Sequence, residues 1–129
     1  MEFGRLRPAT LDALERLGRE SGEDLRGQVI ASYLDHGPRL IKTMRRALAG
    51  RDRRTLGTAA HTLGGSSGVL GALALSELCG ELAELARRDD LDGCEARLTA
   101  VEEEYRQLTA ELGGALLPAT PSHAAERRA

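Results

Sequence analysis

Apolar residues in this chain return every three or four positions through four successive long segments joined by only a few residues, a pattern that directs it to packed helices. The first stripe is Leu25, Val29, Ile30, Tyr33, Leu34, Leu40, Ile41, Met44 and Leu48, opened by the start signal Ser21-Gly22-Glu23-Asp24 with its acids in the first turn and ended at Gly50. Pro38 falls inside it and is expected to kink or divide the helix, because it removes a backbone donor and crowds the preceding turn. Asp52 is the expected cap of the second helix, whose stripe is Leu56, Ala60, Leu63, Ser67 and Leu70. Leu75, Leu78, Leu82 and Leu85 mark the third, ended by Arg87-Arg88. Asp92, with Glu95 three residues on, opens the fourth; its stripe is Cys94, Leu98, Val101, Tyr105, Leu108 and Leu112, closed by Gly113-Gly114. A brief helix from Thr10 through Leu11, Leu14 and Leu17 to Gly18 precedes them.

Short connections make sequential helices antiparallel neighbours. The expected fold is all-α: an antiparallel up-down-up-down four-helix bundle with a short N-terminal cap helix, spanning residues 9–113. Residues 1–8 form an N-terminal segment. Residues 114–129, which include Pro118-Ala119-Thr120-Pro121-Ser122-His123, have too little apolar content to pack and read as a flexible tail.

Composition narrows the function. One Phe, two Tyr and no Trp suit helices better than sheets. A net charge of -2, with only Lys42 as lysine among 18 basic residues, gives no electrostatic footprint for nucleic acid or an anionic membrane. Met1 to Pro8 lacks the apolar run of a signal peptide, and no window approaches a membrane span, so a cytoplasmic protein is expected. Cys79 and Cys94 have no metal-type spacing and read as reduced core thiols.

His61 stands out on the second helix. Glycine occupies the positions four before it (Gly57) and three, four and seven after it (Gly64, Gly65, Gly68), which are its neighbours on a helix surface. Each interior glycine costs roughly 0.5–1 kcal/mol relative to alanine, so the four together cost on the order of 2–4 kcal/mol. The simplest physical reason for such a cost is that something large must bring its own surface against the imidazole. On a helical wheel His61 lies roughly 140° from the centre of the apolar stripe, and the glycines between about 80° and 180°. That places all of them away from the core.

An imidazole held in water presents an unprotonated ring nitrogen near neutral pH. Such a nitrogen can take a phosphoryl group from an activated donor delivered in line, forming a phosphoramidate. Antiparallel pairing brings Gly37 to Ile41 level with His61, each about ten residues from the intervening turn. The expected docking surface therefore joins Gly37 and its neighbours to the glycine face, with Leu40 or Ile41 as an apolar anchor.

The run Ala60-His61-Thr62-Leu63-Gly64-Gly65-Ser66-Ser67-Gly68-Val69-Leu70-Gly71-Ala72 resembles the signature of histidine-containing phosphotransfer (HPt) domains, A-H-x-L-K-G-S-S-x-x-L-G-A. Similarity extends over roughly residues 9–112, through Tyr33-Leu34, Pro38-Arg39-Leu40, Leu78-Cys79-Gly80-Glu81-Leu82 and Glu102-Glu103-Glu104-Tyr105. The resemblance implies a phosphorelay intermediate of two-component signalling. Its histidine accepts a phosphoryl group from the aspartyl phosphate of a receiver domain and passes it to a second receiver aspartate. It further implies that the chain is a phosphocarrier and not an enzyme, has no cofactor of its own, works with Mg²⁺ held by the receiver, and partners receiver domains or a hybrid histidine kinase. Monomer is the simplest state. By position His61 is the phosphoacceptor, Gly65 the small residue that admits the receiver, and Ser66 and Ser67 the motif hydroxyls that follow.

One position departs from the signature, Gly64 standing where the family has lysine. Lys42 and Arg45 on the preceding helix are the candidate replacements for its charge. A second reading follows from the same departure: a non-phosphorylated, pseudo-HPt helical adaptor that docks a receiver or kinase. Other features have plainer roles. His36 and His123 read as surface and tail residues rather than partners of a metal site, Glu102-Glu103-Glu104 as a solvated helix face, and Ser67 as an inward hydroxyl bonded to the carbonyl four residues back. Neither a Ser/His/Asp or Cys/His arrangement nor a phosphate-cradling loop supports a hydrolase.

Overall fold

The computed structural model describes residues 8–116, which form five helices and no strand: α1 (Pro8–Ser21), α2 (Leu25–Ala49), α3 (Arg53–Val69), α4 (Leu73–Arg87) and α5 (Leu91–Leu116). Most of the N-terminal segment and the tail from residue 117 onward lie outside the described residues. Residues 114–116, expected to begin that tail, instead continue α5.

Side-chain caps set where the helices start. Asp24 accepts from the Gly27 amide at 3.0 Å to open α2, and Asp52 from the Thr55 amide at 3.2 Å to open α3. The cap of α5 is Asp90, which accepts from the Gly93 amide at 2.9 Å, so Asp92 lies in the first turn and is not the cap. Three tight turns follow one design, a left-handed residue just past the helix end that lets two amides reach back to the last carbonyls. Gly71 (φ 82°) fills this position after α3, where its amide and that of Ala72 donate to Gly68 and Ser67. Arg51 (φ 58°) and Asp89 (φ 61°) fill it after α2 and α4. Gly50, the expected stop of α2, sits one residue too early to take the left-handed turn.

Pro38 does not divide α2, which runs unbroken through it. The ring is exposed, while Tyr33, Gly37 and Met44 bury the opposite face, and that packing offsets the single lost hydrogen bond.

Each of α2 to α5 packs on two of the others: α3 on α2 and α4, and α5 on α4 and α2. The stripes named above meet inside this ring, where Leu56, Leu63, Leu75, Leu82, Leu98, Leu108 and Leu112 are fully buried. Helix α1 packs on α2 through Leu11 and Leu14, leaving Leu17 exposed. Both cysteines are free and buried, and burial pushes the Cys79 thiol up to about 12. Among the described residues no helix is long and apolar enough to cross a membrane.

Two polar ties pin α2. The Tyr33 and Ser67 hydroxyls share a buried hydrogen bond of 2.7 Å, and the Tyr105 hydroxyl donates to the Tyr33 carbonyl at 3.3 Å. Ser67 thus bonds across the core, and it is Ser66 that donates to the carbonyl four residues back, Thr62, at 2.8 Å. A third tie holds α2 to α5, this one on the outside. Arg45 donates to Glu102 at 2.7 Å, to Glu95 at 2.7 Å and to Thr99 at 3.3 Å; these carboxylates, Glu102 above all, hold the guanidinium protonated. Glu102 is therefore a structural partner and not part of a freely solvated acidic face.

Candidate functional site

His61 lies in the middle of α3 and is exposed. Its helix is held from beneath by Leu56, Ala60, Leu63 and Ser67, all buried, which leaves positions 54, 58, 61, 65 and 68 on the outer stripe. Gly65, one turn on, is exposed, and a Cβ built there would meet nothing within 4 Å. Gly68 is exposed too, with the Ser76 hydroxyl 3.5 Å from where its Cβ would be.

The other expected members of the glycine face do different work. Gly64 is buried, and its Cβ would stand 3.1 Å from that of Cys79; Gly57 is half-buried, 3.8 Å from Ala86 by the same measure. Both let α4 approach α3 closely. Because α2 and α4 both flank α3, the covered arc of the helix is wider than its apolar stripe, and glycines about 100° from the stripe centre fall under a neighbour. Gly37 is also buried, where a Cβ would come within 2.1 Å of the Tyr105 hydroxyl. It makes room for an aromatic ring inside the bundle, not for a visiting protein.

Grooves run along both sides of the outer stripe of α3, and two of them bear on the site. The one toward α2, about 470 Å³, is lined by Val29, Tyr33, His36, Leu40, Thr62, Ser66 and Val69, and Val69 is 67% exposed. Leu40 lies here beside Thr62, whereas Ile41 faces Tyr105 across the α2–α5 groove, so Leu40 is the apolar residue on the His61 side. His36 is exposed, with Nδ1 2.9 Å from the Ser32 carbonyl. The groove toward α4, about 460 Å³, is lined by Arg53, Arg54, Gly57, Thr58, His61, Ala83, Ala86 and Arg87.

Lys42 and Arg45 do not lie there. Both line the α2–α5 groove, and Arg45 is tied to two carboxylates, because their positions on α2 face α5 rather than α3. Positive charge near His61 comes instead from Arg53, Arg54 and Arg87, which the reading of the sequence passed over. The signal was present: Arg54 precedes His61 by seven residues and Gly68 follows it by seven, so the three fall on one helix face. Among the described residues no cluster of three or more His, Cys, Asp or Glu side chains is arranged to hold a metal ion.

Chemically, this is a rigid, solvent-facing imidazole with bare backbone one turn on and cations on one flank. Comparison with known proteins gives that arrangement a family. The chain is 29% identical over 102 residues to histidine-containing phosphotransfer protein 2 of Arabidopsis thaliana, a match that covers 77% of this chain and spans 65% of that relative's length. Its fold resembles that of histidine-containing phosphotransfer protein B from Pseudomonas aeruginosa, with a TM-score of 0.80 at 22% identity over 89% of this chain and 96% of that one. A rice protein assigned to the same phosphotransfer class superposes with a TM-score of 0.74 at 21% identity, covering 88% of this chain and 80% of its own. The Hpt domain family model matches residues 28–111, most of α2 through α5, and the chain belongs to that family.

Proposed function

We propose that this protein carries a phosphoryl group on His61, taking it from the aspartyl phosphate of one receiver domain and giving it to the aspartate of another. The observation that carries this reading is an exposed imidazole whose next turn, at Gly65, is open space. An unprotonated ring nitrogen attacks phosphorus in line. The N–P bond forms as the O–P bond to the aspartate breaks, the carboxylate leaves with the electron pair, and the ring becomes a phosphoimidazolium that returns its positive charge when the group moves on. Mg²⁺ is expected on the receiver, where it would offset charge on the transferring group. The chain's own part is positional: buried leucines fix α3, and the fixed helix fixes His61.

The arrangement that suits this role is an antiparallel up-down-up-down bundle of α2 to α5 with α1 as its cap. Short connections and the closed ring of helix contacts support it. We take the working unit to be a cytoplasmic monomer over residues 9–113. A non-phosphorylated adaptor is the second reading, favoured by glycine rather than lysine at position 64.

Incubation with a ³²P-labelled phospho-receiver separates the two. Acid-labile, base-stable label on the wild type that is absent from His61→Gln supports the relay. Tight receiver binding with no label on the wild type supports the adaptor.

A further inference from the structure

A phosphoryl group on His61 would bring roughly two negative charges to a helix whose usual lysine position holds a buried glycine. Lys42 and Arg45 are committed to the α2–α5 face. The cations that share a groove with His61 are Arg53, Arg54 and Arg87. Two of them are engaged: Arg53 donates to the Arg87 carbonyl at 3.2 Å, and Arg87 is paired with Glu84, which also accepts from Arg88 at 3.0 Å. Arg54 differs, being exposed and in no salt bridge among the described residues. Its nearby acid is Asp52, whose carboxylate already accepts from the Thr55 amide as the cap of α3.

Geometry favours Arg54 as well. It sits two turns before His61 on the same outer stripe, about 10 Å along the axis, with only Thr58 between. Side chains on a helix lean toward its N-terminus, which carries the imidazole toward this turn; the same lean takes Arg54 away from it, so the long, flexible arginine stem must fold back along the helix to meet a group carried on the ring. Position 64 leans toward α4 instead. We propose that Arg54 is the phosphoryl-binding cation of this protein, supplied from two turns before the histidine in place of the lysine that would follow it. This rests on the relay reading, and it assigns a residue to that site.

The test uses the whole chain phosphorylated on His61 with potassium phosphoramidate and titrated by ³¹P NMR. A nearby cation favours the dianion, so Arg54→Gln should raise the pH at which the phosphoryl group loses its last proton, by about half a unit. Arg54→Lys should keep the wild-type value, and Arg87→Gln should move it less than Arg54→Gln does. At equilibrium with a phospho-receiver, Arg54→Gln should shift the phosphoryl group toward the receiver by roughly two- to fivefold. A wild type that takes no phosphoryl group overturns the relay reading and this one together. Labelled wild type and Arg54→Gln that titrate alike, or an Arg87→Gln shift as large as that of Arg54→Gln, overturn the assignment to Arg54 alone.

Discussion

Gly64 and Gly65 are adjacent in sequence and opposite in consequence, and substituting each by leucine separates packing from docking. At Gly65 a side chain enters open space, so it removes the helix penalty of glycine and should stabilise the fold by about 0.5–1 kcal/mol. At Gly64 the new Cβ already lies 3.1 Å from the Cys79 Cβ, an atom fixed to the backbone of α4, and the rest of a leucine must push the helices apart. Overpacking of that kind costs about 1–3 kcal/mol. Both substitutions remove the glycine helix penalty, so the two variants should differ by the overpacking cost, roughly 1–3 kcal/mol or on the order of 10 °C in Tm, read by far-UV circular dichroism on heating and in urea. Function should run the other way. Gly65→Leu, folded and more stable, should exchange phosphoryl with a receiver at least tenfold more slowly, because its side chain stands where the partner must come. Equal stability of the two variants would refute the packing assignment, and wild-type exchange by Gly65→Leu would refute the steric account of the site.

Three further outcomes follow from the core and the caps. Ser67→Ala should cost about 1–3 kcal/mol in urea unfolding, since it strands the buried Tyr33 hydroxyl, and pairing it with Tyr33→Phe should recover part of that loss. Arg51→Gly should raise stability by about 1 kcal/mol, because a left-handed φ of 58° strains arginine and not glycine; no change in the urea midpoint would argue against that turn. The hydrogen bonds from Thr55 hold the Asp52 carboxyl below its usual range, so its stabilisation is present at neutral pH and lost as pH falls through the depressed pKa. Asp52→Ala should accordingly lower Tm at pH 7, with the deficit shrinking in strong acid; a deficit independent of pH would show that the charge is immaterial.

The helices were legible because their cores obey a single period, and the stripes from Leu56 to Leu70 and from Cys94 to Leu112 are buried as their spacing implies. The cap at Asp52 was legible for a similar reason, a short acid just before a periodic run, whereas Asp24, expected among the acids of the first turn of α2, is itself the cap. The misjudged positions depend on partners distant in sequence. Spacing places Gly64 beside His61, but only the approach of α4 decides that one is covered and the other open. Gly37 carries no local sign that Tyr105, 68 residues later, presses on it. The direction in which Lys42 and Arg45 point depends on which helix becomes the second neighbour of α2, and the acids of α5 answer it. Local chemistry fixes what a segment becomes, while the faces it covers are settled by packing.

The most direct measurement is ³¹P NMR of the wild type and His61→Gln after incubation with a phospho-receiver and Mg²⁺. The relay account predicts a phosphoramidate resonance on the wild type alone, gained as the receiver's acyl phosphate signal falls and lost when unphosphorylated receiver is added in excess. A wild type that binds the receiver yet shows no such resonance, or a variant that shows it equally, would contradict it.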